Sequence, residues 1–425
     1  MIHSFDSYML YYTGKTIRNV ARVKVTMRDP VDIETLKSAV NVATDRYPYF
    51  KKRITVDEEG AYVLEDNHEP VAVFPTRRKA PAVGSEEVNR HMLYVDTEGK
   101  DIYFTISHSL AGGKGIQPWV MTCIWQYVAE KYGVAADAPG IRKPGSAFLP
   151  TELTEPSYDI LAKEKPIYQF PGGKAALLLS DYINGFINPL AKKEAYYLFT
   201  FEQPELMRFS KNNDSSVASL CTVLMFKMLD KVLPKKAAVI RGVLAHNPCA
   251  SLGIPDSHSD FLTHLYVDYQ REMAAYDMEK LGTLTRGQMI LQADATCSSE
   301  VVRRQLELRD GIDRCKGLRQ KRRYAGKNNQ NLGKGVVHGT YNVNYTGNLD
   351  WGELAAYVES FVFIVDGHLL TEITAMGSRI FFAVMALVKA DKYIKAFCGV
   401  LDELGIKYKL EGPFPKNLPY QEFQR

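Results

Sequence analysis

The chain has 425 residues, of which 46% are hydrophobic and 24% are charged, and this is the composition of an ordinary globular protein. Such a length exceeds what one hydrophobic core usually supports, so we expect two domains. A net charge of +4 does not demand a polyanionic partner, and six scattered cysteines without a CxxC pair argue against a disulfide scaffold and a zinc site.

The N-terminal part of the chain is predicted to alternate strands and helices. The stretch Asp29-Pro30-Val31-Asp32 is a helix-start signal, because it combines a capping aspartate with a proline in the first turn. Glycine and acidic residues at 57–60 indicate the turn of a hairpin. In chain order we predict strand 19–27, helix 32–46, a hairpin of 50–56 and 61–64, strands 71–74, 92–95 and 102–107, and a helix ending near residue 132.

The most informative stretch is DIYFTISHSLAGGKGIQPWV, which begins at residue 101. Hydrophobic and polar residues alternate up to Ser107, as in a half-buried strand, and His108 follows at once. Gly112, Gly113 and Gly115 then form a glycine-rich turn before the helix. A histidine in this place suits general-base catalysis, because the unperturbed pKa of imidazole lies near physiological pH. The alternative is a histidine that the backbone of the turn satisfies.

The C-terminal part is predicted to repeat this mixture after a long connection. Residues 133–194 are rich in proline and glycine, so we predict an N-terminal half at 1–165, a linker at 166–194 and a C-terminal half at 195–425. Both halves mix mostly antiparallel strands with helices, which is the α+β class. The predicted elements are strand 195–201, helices 204–211 and 217–233, strand 237–245, mainly helix over 277–317, strand 335–345, helix 354–361, strands 362–365, 369–375 and 379–388, and helix 391–404.

Three patterns follow one another in a recognisable order: a helix D-x-E-x-L-x-x-A-V before R-Y-P-Y-F-K-K-R-I, the strand ending in S-H-S-L-A-G-G, and V-N-Y-T-G at 343–347. Their order resembles the chloramphenicol-acetyltransferase-like superfamily, which includes nonribosomal-peptide condensation domains, plant acyltransferases and alcohol O-acetyltransferases. In its HHxxxDG motif His108 takes the second, catalytic histidine and Ser107 the first, while Gly112 takes the aspartate and Gly113 the glycine. The resemblance covers nearly the whole chain.

This resemblance implies two chloramphenicol-acetyltransferase-like halves that face each other across a tunnel, with His108 inside it. It implies an acyltransferase that moves an acyl group from acyl-coenzyme A, or from a carrier-protein thioester, to a hydroxyl or amine acceptor, with His108 as general base. Asn344, Tyr345 and Thr346 are the candidates for the oxyanion or tunnel site. The motif aspartate pairs with an arginine in this superfamily, and Gly112 cannot do so. The alternative is therefore a non-catalytic condensation-like protein that binds a carrier protein or another partner.

The remaining features constrain partners and location. The basic residues between 303 and 323 suit phosphates of coenzyme A or the acidic surface of a carrier protein, although a solvated helix and loop is the more common explanation of such a segment. His258 and His264 would face different sides of a helix, so we expect no metal and no tightly bound cofactor. Without a signal peptide or a long apolar run, we expect a cytoplasmic monomer with no membrane span and no nucleic acid as partner.

Overall fold

The first of two large β-sheets has five strands, and His108 directly follows its central strand. The computed structural model describes residues 5–14, 18–176, 178, 194–234, 239–332, 339–348, 350–367, 369–386 and 390–422. The strand order in the first sheet is β11-β1-β6-β5-β4. Its strands are β1 (Val20–Met27), β4 (Val73–Pro75), β5 (Leu93–Glu98), β6 (Asp101–Ser107) and β11 (Val358–Ile364), and a separate hairpin pairs β2 (Lys52–Val56) with β3 (Tyr62–Asp66).

Two helices that pack against each other accompany this sheet: α1 (Ile33–Thr44) and α2 (Gly113–Tyr132). The capping aspartate of α1 is Asp32, whose carboxylate accepts a hydrogen bond of 2.7 Å from the Thr35 backbone N–H. The same residue fixes α1 to α2, because its backbone N–H donates to the Tyr127 hydroxyl at 2.9 Å.

The second sheet has seven strands in the order β14-β7-β13-β12-β10-β8-β9. β10 pairs in parallel with β8 and β12, and the other pairs are antiparallel. Its strands are β7 (Ala195–Glu202), β8 (Val239–His246), β9 (Thr263–Gln270), β10 (Tyr341–Asn348), β12 (Leu370–Met376), β13 (Arg379–Ala386) and β14 (Lys409–Pro415). The helices of this part are α3 (Gln203–Asn212), α4 (Val217–Val232), α5 (Met278–Gln292), α6 (Ala295–Asp313), α7 (Leu318–Leu332) and α8 (Ala390–Glu403).

One strand links the two sheets. β11 lies late in the chain, yet it pairs antiparallel with β1 at the edge of the first sheet, with Val25 opposite Phe361. The chain then passes directly into β12 of the second sheet. The structure is therefore α+β with two sheet-and-helix layers, as predicted, while the domain boundaries at 165 and 195 and the tunnel stay predictions.

Two secondary-structure predictions were wrong, and two strands were missed. The predicted helix 354–361 is a short 3₁₀ helix that ends at Tyr357 and leads into β11. Val358, Phe361 and Val362 have helical spacing, but pairing with β1 overrides that local pattern. His258 and His264 are not on a helix, since His258 lies in a loop and His264 in β9, which was not predicted. The edge strand β14 was missed as well.

None of the helices in the described part of the chain combines the length and apolar character that crossing a bilayer requires.

Candidate active site

His108 is the first residue after the central strand β6. Its backbone N–H donates to the Asn19 carbonyl at 3.0 Å, which continues the pairing of β6 with β1. Its side chain is 19% exposed, so the imidazole is largely shielded but reachable. A residue that follows a strand hydrogen-bonded on both sides has a well-fixed backbone, which is what an oriented catalytic group requires.

Two oxygens face one nitrogen of this imidazole. The Ala111 carbonyl and the Asp260 Oδ2 each lie 3.3 Å from His108 Nδ1. Because both groups accept hydrogen bonds, the proton belongs on Nδ1 and the lone pair on Nε2. Burial alone would lower the pKa of His108, but the hydrogen bond and charge of Asp260 outweigh it, and this pKa is raised above its ordinary value.

Asp260 comes from the loop that joins β8 to β9 in the second part of the chain. Leu252 and Phe261 of this loop are buried in the same hydrophobic core as the first sheet. The carbonyl of His258 accepts from the Gly112 backbone N–H at 3.1 Å, and the His258 N–H donates to the Glu152 carbonyl at 3.0 Å. The loop is thus docked on the turn that follows His108.

A buried polar cluster holds the same loop from its other side. The Tyr49 hydroxyl donates to Glu152 Oε2 at 2.9 Å and lies 2.9 Å from His258 Nδ1. Arg46 donates two hydrogen bonds to the Glu152 carboxylate, at 2.6 and 3.0 Å. Burial alone would raise the pKa of Glu152, but these hydrogen bonds outweigh it and hold that pKa below its ordinary value. Burial lowers the pKa of His258 to about 4, so this second histidine is neutral at pH 7. Because the Tyr49 hydroxyl donates its one hydrogen to Glu152, His258 Nδ1 is the donor in its contact with Tyr49.

The predicted supporting residues have different surroundings. Ser107 is fully buried, and its hydroxyl is hydrogen-bonded to Ser109 and to the Gln421 side chain. Gly112 precedes α2 and touches Asp260, since a Cβ there would lie 2.9 Å from Asp260 Oδ1. Gly113 begins α2 and faces open space, because a Cβ there would meet nothing within 4 Å.

The predicted oxyanion residues lie on β10, and one of them contacts a buried carboxyl group. Asn344 Nδ2 donates to Glu372 Oε1 at 2.6 Å, and Thr346 Oγ1 donates to the Ile373 carbonyl at 3.1 Å. Burial raises the pKa of Glu372 to about 7, against the effects of the Asn344 hydrogen bond and the charge of His108. Tyr345 is 39% exposed.

A further hydrogen bond ties β10 to the helix that follows His108. The Thr346 carbonyl accepts from Gln117 Nε2 of α2 at 3.2 Å. The charge of His108 also acts on the pKa of Glu372, so β12 of the second sheet lies within electrostatic range of the same histidine.

Sequence reasoning missed Asp260 and Glu372. Nothing in the sequence near Asp260 relates it to His108, because their contact depends on how a distant loop docks. Glu372 had a signal that was not used: it is the one charged residue in the otherwise uncharged strand Leu370–Met376. A lone carboxyl in a buried strand needs a partner or a raised pKa, and Glu372 has both.

Comparison with known proteins decides the fold. No protein-family model matches the sequence, and no curated protein matches it significantly. The structure of polyketide synthase associated protein 5 from Mycobacterium tuberculosis aligns with a TM-score of 0.58 at 12% identity, over 94% of this chain and 96% of that one. The first condensation domain of the CDA synthetase aligns with a TM-score of 0.62 at 11% identity, over 98% and 97%. The chain has the condensation-domain fold.

The predicted resemblance to the chloramphenicol-acetyltransferase-like superfamily is thus confirmed for the fold. A third structure with this fold is F. graminearum TRI101 complexed with coenzyme A and T-2 mycotoxin, with a TM-score of 0.56 at 11% identity, over 95% of this chain and 98% of that one. Identities this low establish the fold alone. The assignment of residues 107–113 to the HHxxxDG motif stays a prediction, and the chemistry has to be argued from the site.

Proposed function

We infer that this protein is an acyltransferase that moves an acyl group from a thioester to a hydroxyl or amine acceptor. The observation that carries the proposal is the state of His108: two acceptors occupy Nδ1 and leave Nε2 as the basic nitrogen. The fold supports the choice of donor, because a protein with this fold has been crystallised with coenzyme A. The thioester is that of coenzyme A or of a carrier protein.

In the proposed reaction, His108 Nε2 takes the proton of the acceptor hydroxyl or amine while that group attacks the thioester carbonyl. The tetrahedral intermediate then collapses with cleavage of the C–S bond, and Nε2 returns the proton to the leaving thiolate. The Nδ1 proton stays between Ala111 and Asp260 throughout, which keeps the imidazole in one orientation. No covalent enzyme intermediate is required.

The developing oxyanion needs a donor, and we propose the end of β10 for this role. Asn344 is the strongest of the three predicted residues. Its side-chain amide has two N–H groups, and when one donates to Glu372 the other is left to donate to the oxyanion. Thr346 already donates its hydroxyl to the Ile373 carbonyl. Tyr345 is the most exposed of the three and is the weakest candidate.

The basic segment gives partial support to a phosphate-bearing donor. Some of its cations have internal roles: Lys321 Nζ donates to the Ile312 carbonyl, and Arg322 donates to the Tyr62 hydroxyl. Arg319 and Arg323 of the same segment are exposed on α7. Coenzyme A phosphates or an acidic carrier protein are the donor groups that such residues would attract.

The test uses purified protein, a panel of acyl-coenzyme A thioesters and a small-molecule cell extract, with products identified by mass spectrometry. We expect acyl transfer by the native protein and about a 10²–10⁴-fold lower rate in His108→Asn, whose amide N–H can still donate to Asp260. His68→Ala, at an exposed histidine, is the matched control and should keep the native rate. Equal rates in His108→Asn and native protein would reject His108 as the base, and no transfer from any donor would favour a non-catalytic binding protein.

A further inference from the structure

We propose that Asp260 replaces in space the carboxylate that the motif position Gly112 lacks, and that it is the positioning residue for the His108 imidazole. The proposal rests on the proposed function only where it concerns turnover. Its structural part concerns the orientation and proton affinity of one histidine, and these can be measured without any substrate.

Gly112 leaves free the space that the Asp260 side chain occupies. Its backbone angles are φ −75° and ψ 176°, a conformation that any residue adopts, so the backbone does not require glycine. The position caps the N-terminus of α2, where aspartate is among the preferred residues, yet no side chain caps this helix. A Cβ at 112 would lie 2.9 Å from Asp260 Oδ1, 3.2 Å from its Cα and 3.3 Å from its Cβ. Asp260 therefore fills the space that a side chain at 112 would occupy.

The Asp260 carboxylate is directed at the His108 imidazole. The other oxygen, Oδ2, lies 3.3 Å from His108 Nδ1, and the Asp260 side chain is only 7% exposed. The remaining groups that act on His108 are the Ala111 carbonyl and, from β12, the Glu372 carboxyl. Among these three, Asp260 has the strongest effect that favours the charged imidazolium. It thus opposes the loss of proton affinity that burial imposes on His108.

The loop that carries Asp260 is held in place by contacts that do not involve His108. Two residues earlier in the same loop, His258 contacts Tyr49, and Tyr49 and Arg46 both bind the buried Glu152 carboxylate. These anchoring residues lie in the first part of the chain, whereas Asp260 lies in the second. The orientation of the imidazole therefore depends on how closely this loop docks against the turn after His108.

The first experiment measures the pKa of His108 by NMR of histidine-labelled protein, with the resonance assigned from its absence in His108→Asn. We expect Asp260→Asn to lower this pKa by about one pH unit or more, because the amide removes a negative charge within hydrogen-bond reach. The control Asp256→Asn changes an exposed carboxyl of the same loop and should leave the pKa unchanged. An unchanged pKa in Asp260→Asn would overturn the proposal.

The second experiment tests the replacement in space. Gly112→Asp alone should lower the urea midpoint of unfolding, because its Cβ meets Asp260. Adding Asp260→Gly removes the colliding side chain and leaves one carboxylate at the same place. We expect this double variant to unfold at higher urea than Gly112→Asp and to have a higher His108 pKa than Asp260→Gly. A double variant no better than the single ones in both measurements would show that the two positions are not exchangeable.

Turnover separates this proposal from the function on which it partly rests. If the protein transfers acyl groups, Asp260→Asn should lower kcat by about 10- to 100-fold and move the acid limb of kcat/KM to lower pH, because the base is less basic and less well oriented. A pKa that changes in a protein without acyl transfer would support the role of Asp260 and reject the proposed function. Acyl transfer at the native rate in Asp260→Asn would support the proposed function and reject the role of Asp260.

Discussion

The contact between the His108 turn and the loop of Asp260 can be tested by adding one methyl group at Gly115. A Cβ at this position would lie 2.7 Å from His258 Cβ, 2.9 Å from the His258 carbonyl oxygen and 2.9 Å from Ala111 Cβ. Non-bonded carbon atoms settle at about 3.5–4.0 Å, so Gly115→Ala must push the loop back by about 1 Å. Overpacking of this kind costs about 1–3 kcal/mol in the free energy of unfolding.

Gly113→Ala is the matched control, because it lies in the same first turn of α2 and its Cβ meets nothing within 4 Å. Both substitutions gain up to about 1 kcal/mol of helix propensity, which therefore cancels in the comparison. Urea unfolding followed by fluorescence should place Gly115→Ala about 1–3 kcal/mol below Gly113→Ala in stability. The pKa of His108 should also fall in Gly115→Ala, since Asp260 retreats with the loop. Equal stabilities within about 0.5 kcal/mol would refute the close packing on which the site depends.

Two further variants test the buried carboxyl groups. Glu152→Gln leaves the Arg46 guanidinium, which is 1% exposed, without its bidentate partner, and chemical unfolding should show a loss of about 3–5 kcal/mol. Glu372→Gln acts in the opposite direction. The native carboxyl has a pKa of about 7 instead of 4.5. As the pH rises between these values, the carboxyl ionises in the unfolded chain but not in the folded one, and the folded protein loses about 3 kcal/mol of stability. The variant, whose amide oxygen still accepts from Asn344, should therefore equal native protein in stability near pH 4 and exceed it above pH 7.

Both predictions can be contradicted by a specific result. The exposed pair of Lys37 and Glu34 is the control for Glu152, since Glu34→Gln should change stability by less than about 0.5 kcal/mol. A Glu152→Gln protein that matches this control would mean that the ion pair does not hold the cluster. For Glu372, a stability difference from native protein that does not vary between pH 4 and pH 8 would show that the carboxyl is not kept neutral in the folded state.

Elements that neighbouring residues specify were predicted from the sequence, whereas elements that depend on distant partners were not. The alternation before His108 and the cap at Asp32 are decided by neighbouring residues, and both were found. β14 is a largely exposed edge strand that contains two prolines, so it had neither alternation nor an apolar run to reveal it. The first four residues of β11, 358–361, were placed in a helix because the partner strand β1 lies at the far end of the chain.

The residues of the candidate site also differ in whether neighbouring residues or distant contacts specify their role. His108 could be selected from its own surroundings, because a strand, a histidine and a glycine-rich turn are adjacent in sequence. Asp260 could not, because its role depends on a loop docking that no short segment encodes. Gly112 looked like the loss of a carboxylate, and only the three-dimensional contact reveals one in its place.

Because β11 lies late in the chain but belongs to the first sheet, this sheet cannot be completed early in synthesis. During synthesis the first sheet stays incomplete until residues 358–364 leave the ribosome, because among the residues that the structure describes no earlier strand pairs with the outer side of β1. Until then β1 has an open edge with unpaired backbone groups, which invites pairing with other chains. A fragment that ends within the connection at 133–194 would keep that edge permanently. The two parts of this protein are therefore a poor choice for separate expression, and recombination between relatives at this connection would have to exchange β11 together with the first part.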